Sequence, residues 1–228
     1  MQAAAGIELG LILETMPQLF TPGADAALRR LALVLVAFVF VITVAVWGGA
    51  RTPAATGQFR TATQPIPFSH PLHVNGLHLD CLYCHAGAER SSYAGLPPTA
   101  ACVPCHRDAT IRSALFAPVR DSLSSGRPIP WRRVTSVPDF VFFNHAVHVR
   151  TGVACQTCHG PIESMPQVYQ AAPLTMEWCL QCHRAPERYV RLTDTGISGW
   201  KHGDVQRGRA VQAQYDIERL TSCTTCHR

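Results

Sequence analysis

Five times the chain spells Cys-x-x-Cys-His, and those five motifs use all 10 of its cysteines. They begin at Cys81, Cys102, Cys155, Cys179 and Cys223, and they close on His85, His106, His159, His183 and His227. Cys84, Cys105, Cys158, Cys182 and Cys226 are the second thiols. This is the spacing of a c-type haem attachment site. The two thiols add across vinyl groups of the porphyrin, and the adjoining imidazole becomes an axial ligand of its iron. Zinc ribbons and redox pairs share Cys-x-x-Cys but need no His at the next position. With 11 His in 228 residues, chance places one there roughly one time in twenty, and five in five on the order of one in a few million. No cysteine remains for a structural disulfide. The first expectation is five covalently bound haem c groups, with electron transfer as their work.

All five motifs lie after residue 50, which leaves roughly 36 residues per haem, too few to build a large side-chain core. The expected fold is a multihaem cytochrome c, loop-rich, with short α-helices packed around five haems that serve as the core. The 17 prolines and 16 glycines of the chain suit such a wrap. The net charge of +5 does not point to nucleic acid. Five haems carry about ten propionates, which turn the balance of this region acidic and offer its arginines partners.

Residues 31–50 carry no charge and are apolar almost throughout. Their length matches the ~20 residues a helix needs to cross a bilayer, and Trp47 stands at the exit end, where aromatic residues anchor. A cleaved signal peptide is the alternative, with Gly48-Gly49-Ala50 as its small residues. The run exceeds the usual h-region of ~7–15 residues, so a retained anchor over 29–50 is expected. Arg29 and Arg30 precede it and Arg51 follows, which favours a cytoplasmic N-terminus. Haem attachment also requires export. The expected plan is a cytoplasmic or interfacial segment over 1–28, a single-pass anchor in the bacterial inner membrane, and a periplasmic haem domain over 51–228.

That domain contains a duplication. Residues 68–85 read FSHPLHVNGLHLDCLYCH, and residues 143–159 read FNHAVHVRTGVACQTCH. Each is Phe-x-His-x-x-His-Val, a short gap, then an attachment motif, with a second motif following. Two two-haem modules, about 66–110 and 141–186, are expected, plus a C-terminal haem at 223–227. The pairs His70/His73 and His145/His148 have helical i, i+3 spacing, so each pair can present imidazoles to two neighbouring irons. These four supply four distal ligands. The fifth is left open between His202, Met165 and Met176, with a thioether favoured; such a ligand raises the reduction potential. His78 has no counterpart in the repeat and reads as a surface residue.

The Phe-x-His-x-x-His pattern resembles multihaem cytochromes of the class III type. That resemblance implies that the second His serves the haem just downstream: His73 with His85, and His148 with His159. His70 and His145 would then serve two other haems.

A wider resemblance rests on the anchor, on Leu174-Thr175-Met176-Glu177-Trp178 before the fourth motif, and on Leu220-Thr221-Ser222 before the fifth. The chain resembles the pentahaem cytochrome c subunit of alternative complex III, a quinol:electron acceptor oxidoreductase. Glu177 departs from the Gly usual there. The resemblance implies a wire with no catalytic site of its own. Its partners would be a membrane-embedded quinol-oxidising subunit and an iron–sulfur subunit. Its acceptor would be a periplasmic cytochrome, a blue copper protein or an oxidase. The rival reading is a NapC-like quinol dehydrogenase acting alone, which needs an iron without a strong distal ligand. A nitrite or hydroxylamine reductase would call for an unusual attachment motif, and all five here end in His. A freely diffusing shuttle conflicts with the anchor.

Overall fold

The computed structural model describes residues 21–107, 112–191 and 204–227. The chain forms two compact units that divide between Thr52 and Pro53. The first holds helix α1 (Pro22–Gly49), which begins well before the apolar run. Thr21 caps it by accepting from the Ala24 N–H at 3.3 Å, Pro22 stands in its first turn, and Asp25 pairs with Arg29 at 2.8 Å. Pro22-Gly23 reads as a turn in isolation, but Pro at the first helical position has no N–H to lose and its φ suits a helix. The span Gly23–Gly49 has a mean hydropathy of 2.8 and is long and apolar enough to cross a membrane, a test that a signal sequence also passes. At its end the Arg51 guanidinium lies 3.8 Å from the centre of the Trp47 ring and donates to the Trp47 carbonyl. Of the segment 1–28, read above as cytoplasmic or interfacial, residues 1–20 lie outside the described residues and 22–28 belong to α1.

The second unit is helical and loop-rich. Among its described residues there is no strand, only an isolated antiparallel bridge between Thr61 and Tyr169. The longer helices are α2 (Ala117–Ser125), α3 (His145–Arg150), α4 (Met176–Arg184) and α5 (Val205–Gln214). A wide π-helical turn over Pro71–Gly76 follows His70, where the first module was expected to have an ordinary helix. Short helical turns carry the motifs. Nine apolar residues are buried among the described ones, and four of them are alanines: Ala88, Ala146, Ala154 and Ala172. Phe68, Leu72, Leu77, Tyr83, Phe140 and Phe142 stay exposed. Protein side chains alone thus make almost no core, which is the arrangement expected when a prosthetic group fills it.

Three contacts hold the loops in place. The segment after the first unit is stapled to residues 169–171. Gln58 donates to the Ala171 carbonyl at 2.8 Å, buried Gln170 donates to that of Thr56 at 2.9 Å, and the Phe59 N–H donates to that of Gln170 at 2.9 Å. Ser122 of α2 bonds Thr99 at 2.6 Å and closes the first module. α5 packs on Pro186–Arg188, and a Cβ at Gly208 would stand 1.8 Å from the Glu187 carbonyl oxygen. Gly208→Ala is therefore expected to push α5 off that turn and cost about 1–3 kcal/mol, as overpacking of a fixed backbone does. The melting temperature of the holoprotein reads this, with Gly49→Ala, whose added Cβ meets nothing within 4 Å, as the silent control.

Candidate haem-binding sites

The attachment spacing is a property of one helical turn. His85, His106 and His227 each donate a backbone N–H to the carbonyl of the motif's first Cys, at 2.9, 3.1 and 2.9 Å. Positions i and i+3 of such a turn lie on one face, so both thiols point the same way and the His at i+4 follows them. Asp80 caps the first of these turns by accepting from the Leu82 N–H at 2.8 Å. Thr175 caps α4, which carries the fourth motif.

Across from these motifs stand the repeat histidines. The ring centres of His73 and His106 are 6.2 Å apart, those of His145 and His159 6.4 Å, and those of His148 and His183 6.1 Å. His70 lies beside His85. A metal–imidazole bond is about 2 Å, so two imidazoles on opposite sides of one iron have ring centres roughly 6 Å apart. The residues therefore fit a six-coordinate haem iron at each of the three measured pairs.

Hydrogen bonds hold five of these rings, while the buried Nδ1 of His70 has no such partner. Nδ1 of His73 donates to the Ser69 carbonyl at 2.8 Å, and Nδ1 of His148 donates to the equivalent Asn144 carbonyl at 2.7 Å. His145 bonds the Ser92 carbonyl at 3.2 Å, His85 that of Gly95 at 3.4 Å, and His227 that of Phe140 at 3.2 Å. With the proton on Nδ1, the Nε2 lone pair is free for a metal. Burial, then the neighbouring His85 and His73, pushes His70 down to about 4. Burial, then His145 and His85, does the same to His159. Both rings are held neutral, as ligands must be.

The phenylalanine that opens each repeat has a role the sequence reading left unassigned. Phe68 stacks on His73 (4.3 Å, 26°) and meets His70 edge-on (4.9 Å, 80°). Phe143 treats His148 (4.5 Å, 30°) and His145 (4.7 Å, 84°) the same way. In each repeat one aromatic ring thus stacks on the second imidazole and meets the first edge-on.

A family model for cytochrome c7 and related cytochrome c matches residues 141–228. The multiheme cytochrome c subunit of menaquinone reductase from Nitratidesulfovibrio vulgaris (Hildenborough) is 33% identical over 177 residues, covering 72% of this chain and 77% of that protein. This chain is a multihaem cytochrome c.

In the cytochrome the rings stand opposite one another in an arrangement different from the pairing implied by the class III resemblance. His73 faces His106 rather than His85, and His148 faces His183 rather than His159. It is the first His of the second repeat, His145, that faces the motif just downstream. Helical spacing places both rings on one face but does not choose their partners. Docking of α3 chooses, because the Ser92 carbonyl holds the His145 ring.

The other candidates separate clearly. Met165 is 3% exposed and packs on Gly160, the residue after His159, whose ring already faces a second imidazole. Met176 is 68% exposed in the first turn of α4, three residues before Cys179. His78 is exposed, with φ 55°. His202 lies outside the described residues.

Proposed function

We propose that this cytochrome is the electron-transfer subunit of a membrane-bound, quinol-linked oxidoreductase, holding five haem c groups on its five motifs. The observation that carries the reading is the set of facing imidazoles, His73/His106, His145/His159 and His148/His183, with ring centres 6.1–6.4 Å apart. When bound, each haem supplies a one-electron ferric/ferrous couple. Two imidazoles on each of four irons would leave no position for substrate there, which favours a relay over a reductase. The ligand sets are His85 with His70, His106 with His73, His159 with His145, and His183 with His148.

For the fifth iron, bound by His227, we assign Met176. It precedes Cys179 by one helical turn on the same face, and Cys179 lies beside Cys226. Met176→Leu should lower one midpoint potential by roughly 0.1 V or more, a fraction of the ~0.8 V that axial ligands span. Met165→Leu should leave all five where they are. A potentiometric titration followed at the haem α-band distinguishes the two.

α1 serves as the anchor and residues 53–228 face the periplasm, where haem attachment takes place. The partners are a quinone-reactive membrane subunit and an iron–sulfur subunit, as in alternative complex III, with a periplasmic acceptor. The relative's name, menaquinone reductase, supports a second direction, in which haems deliver electrons to quinone. A relay conducts either way, and the potentials of its partners set the direction.

Purification from native membranes in mild detergent tests the reading. Co-purifying membrane and iron–sulfur subunits, with haem reduction driven by menadiol, are expected. A lone protein that menadiol still reduces would mark a self-sufficient quinol dehydrogenase. A lone protein that stays oxidised would leave only an anchored carrier.

A further inference from the structure

We infer that the five attachment sites follow one another in space in the order Cys102–His106, Cys81–His85, Cys155–His159, Cys179–His183, Cys223–His227. The line thus starts at the second site of the sequence, with the first and third sites at its centre. This rests on the haem-binding reading above.

The sites of one module share a histidine-bearing turn. In the second module, α3 carries both His145, which faces His159, and His148, which faces His183. In the first, His73 faces His106 while His70, three residues earlier, lies beside His85. Sites one and two are neighbours for that reason, and so are sites three and four.

The two modules then exchange contacts reciprocally. α3 docks on the segment after His85. The N–H groups of His145 and Ala146 donate to Ser92 and Ser91 at 3.2 and 3.1 Å, and Arg150 Nε donates to the Glu89 carbonyl at 2.8 Å. In return the Pro71–Gly76 turn docks on Ile162–Ser164, the segment after His159, and Asn75 Nδ2 donates to the Glu163 carbonyl at 2.7 Å. Asn75 and Arg150 hold the same place after the repeat Phe, and Glu89 and Glu163 the same place after the motif's first Cys. The same contact is therefore made twice, in opposite senses, as a two-fold relation requires. Residues on such an axis must meet their own equivalents. Cys81 and Cys155 do: their sulfurs lie side by side. The first and third sites consequently abut, and the second and fourth lie outward.

The fifth site breaks the symmetry. The Phe142 N–H donates to the Cys226 carbonyl at 2.9 Å, and the Phe140 carbonyl accepts from His227. Residues 140–142 lead directly into α3, and Cys226 lies beside Cys179. The fifth site therefore extends the line beyond the fourth.

Electron cryo-microscopy of the haem-loaded chain in its native complex tests the order, because each haem is identified by the cysteines it is bonded to. The expected map has the Cys81 and Cys155 haems adjacent at the centre and the Cys102 haem next to that of Cys81 alone. A Cys102 haem against that of Cys155, or a Cys223 haem nearest that of Cys102, would overturn it. A second measurement does not depend on the map. His70→Ala and His73→Ala each open one iron to carbon monoxide, which locks it ferrous. With the Cys81 site locked, menadiol-driven reduction of the other four haems should split into groups of one and three. With the Cys102 site locked, the four should respond as one group. The reverse pattern contradicts the order. If the unaltered complex is not reduced by menadiol while the map agrees, the quinol-linked reading fails and the order stands.

Discussion

Replacing His145 with Ala should convert one haem in five from six-coordinate low-spin to five-coordinate high-spin. A ferric signal near g = 6, absent from the parent, and carbon monoxide uptake by one fifth of the haem are the expected readouts. The His145 ring is fixed by three neighbours: the Ser92 carbonyl on Nδ1, the edge of Phe143, and the facing His159. Nothing described nearby replaces it, since Met165 is packed against Gly160 and buried. Cyanide added to the variant then marks the opened iron. Density for it on the haem of Cys155 and Cys158 supports the pairing, and density on the haem of Cys179 and Cys182 refutes it. Restoring the low-spin spectrum with free imidazole would show that the loss is of a ligand and not of the fold.

Without haem attachment, residues 53–228 should have no stable fold. A domain of this length ordinarily opposes a conformational entropy of about 1–2 kcal/mol per residue with extensive apolar burial. Here nine apolar residues are buried among those described, and the largest wholly enclosed side chains are valines, Val119 and Val211. Phe68, Phe116, Phe140 and Phe143 lie against imidazoles instead. The chain made where no haem is attached should show a flat near-ultraviolet circular dichroism spectrum and rapid, unselective proteolysis. A cooperative thermal transition in that material would mean that side-chain packing alone suffices.

The sequence carried much of this. The five motifs, the two-module repeat and the four repeat histidines were readable because attachment chemistry demands fixed residue types at fixed offsets. Which imidazole meets which motif was not readable. His73 and His148 differ from His70 and His145 only by one turn of phase, and the choice depends on carbonyls such as Ser92 and Gly95 that carry no side-chain signature. The start of α1 was missed because the apolar run begins only at residue 31, whereas the helix is set earlier by the Thr21 cap and the Asp25–Arg29 pair. The separate fates of Met165 and Met176 depend on burial: a glycine at position 160 leaves room for one thioether to pack, while the other stands clear on the first turn of α4.

The reciprocal docking of the two repeats also bears on descent. A single repeat would leave both its histidine-bearing turn and its post-motif segment uncovered, and a second copy of itself would cover both. The ancestral unit was on this view a dihaem homodimer, later joined by gene duplication and fusion. While the copies were separate chains, any change in one appeared in both. Fusion removed that constraint, which allowed an appendage such as the fifth motif to grow on one half alone and give a once-symmetric assembly two unlike ends.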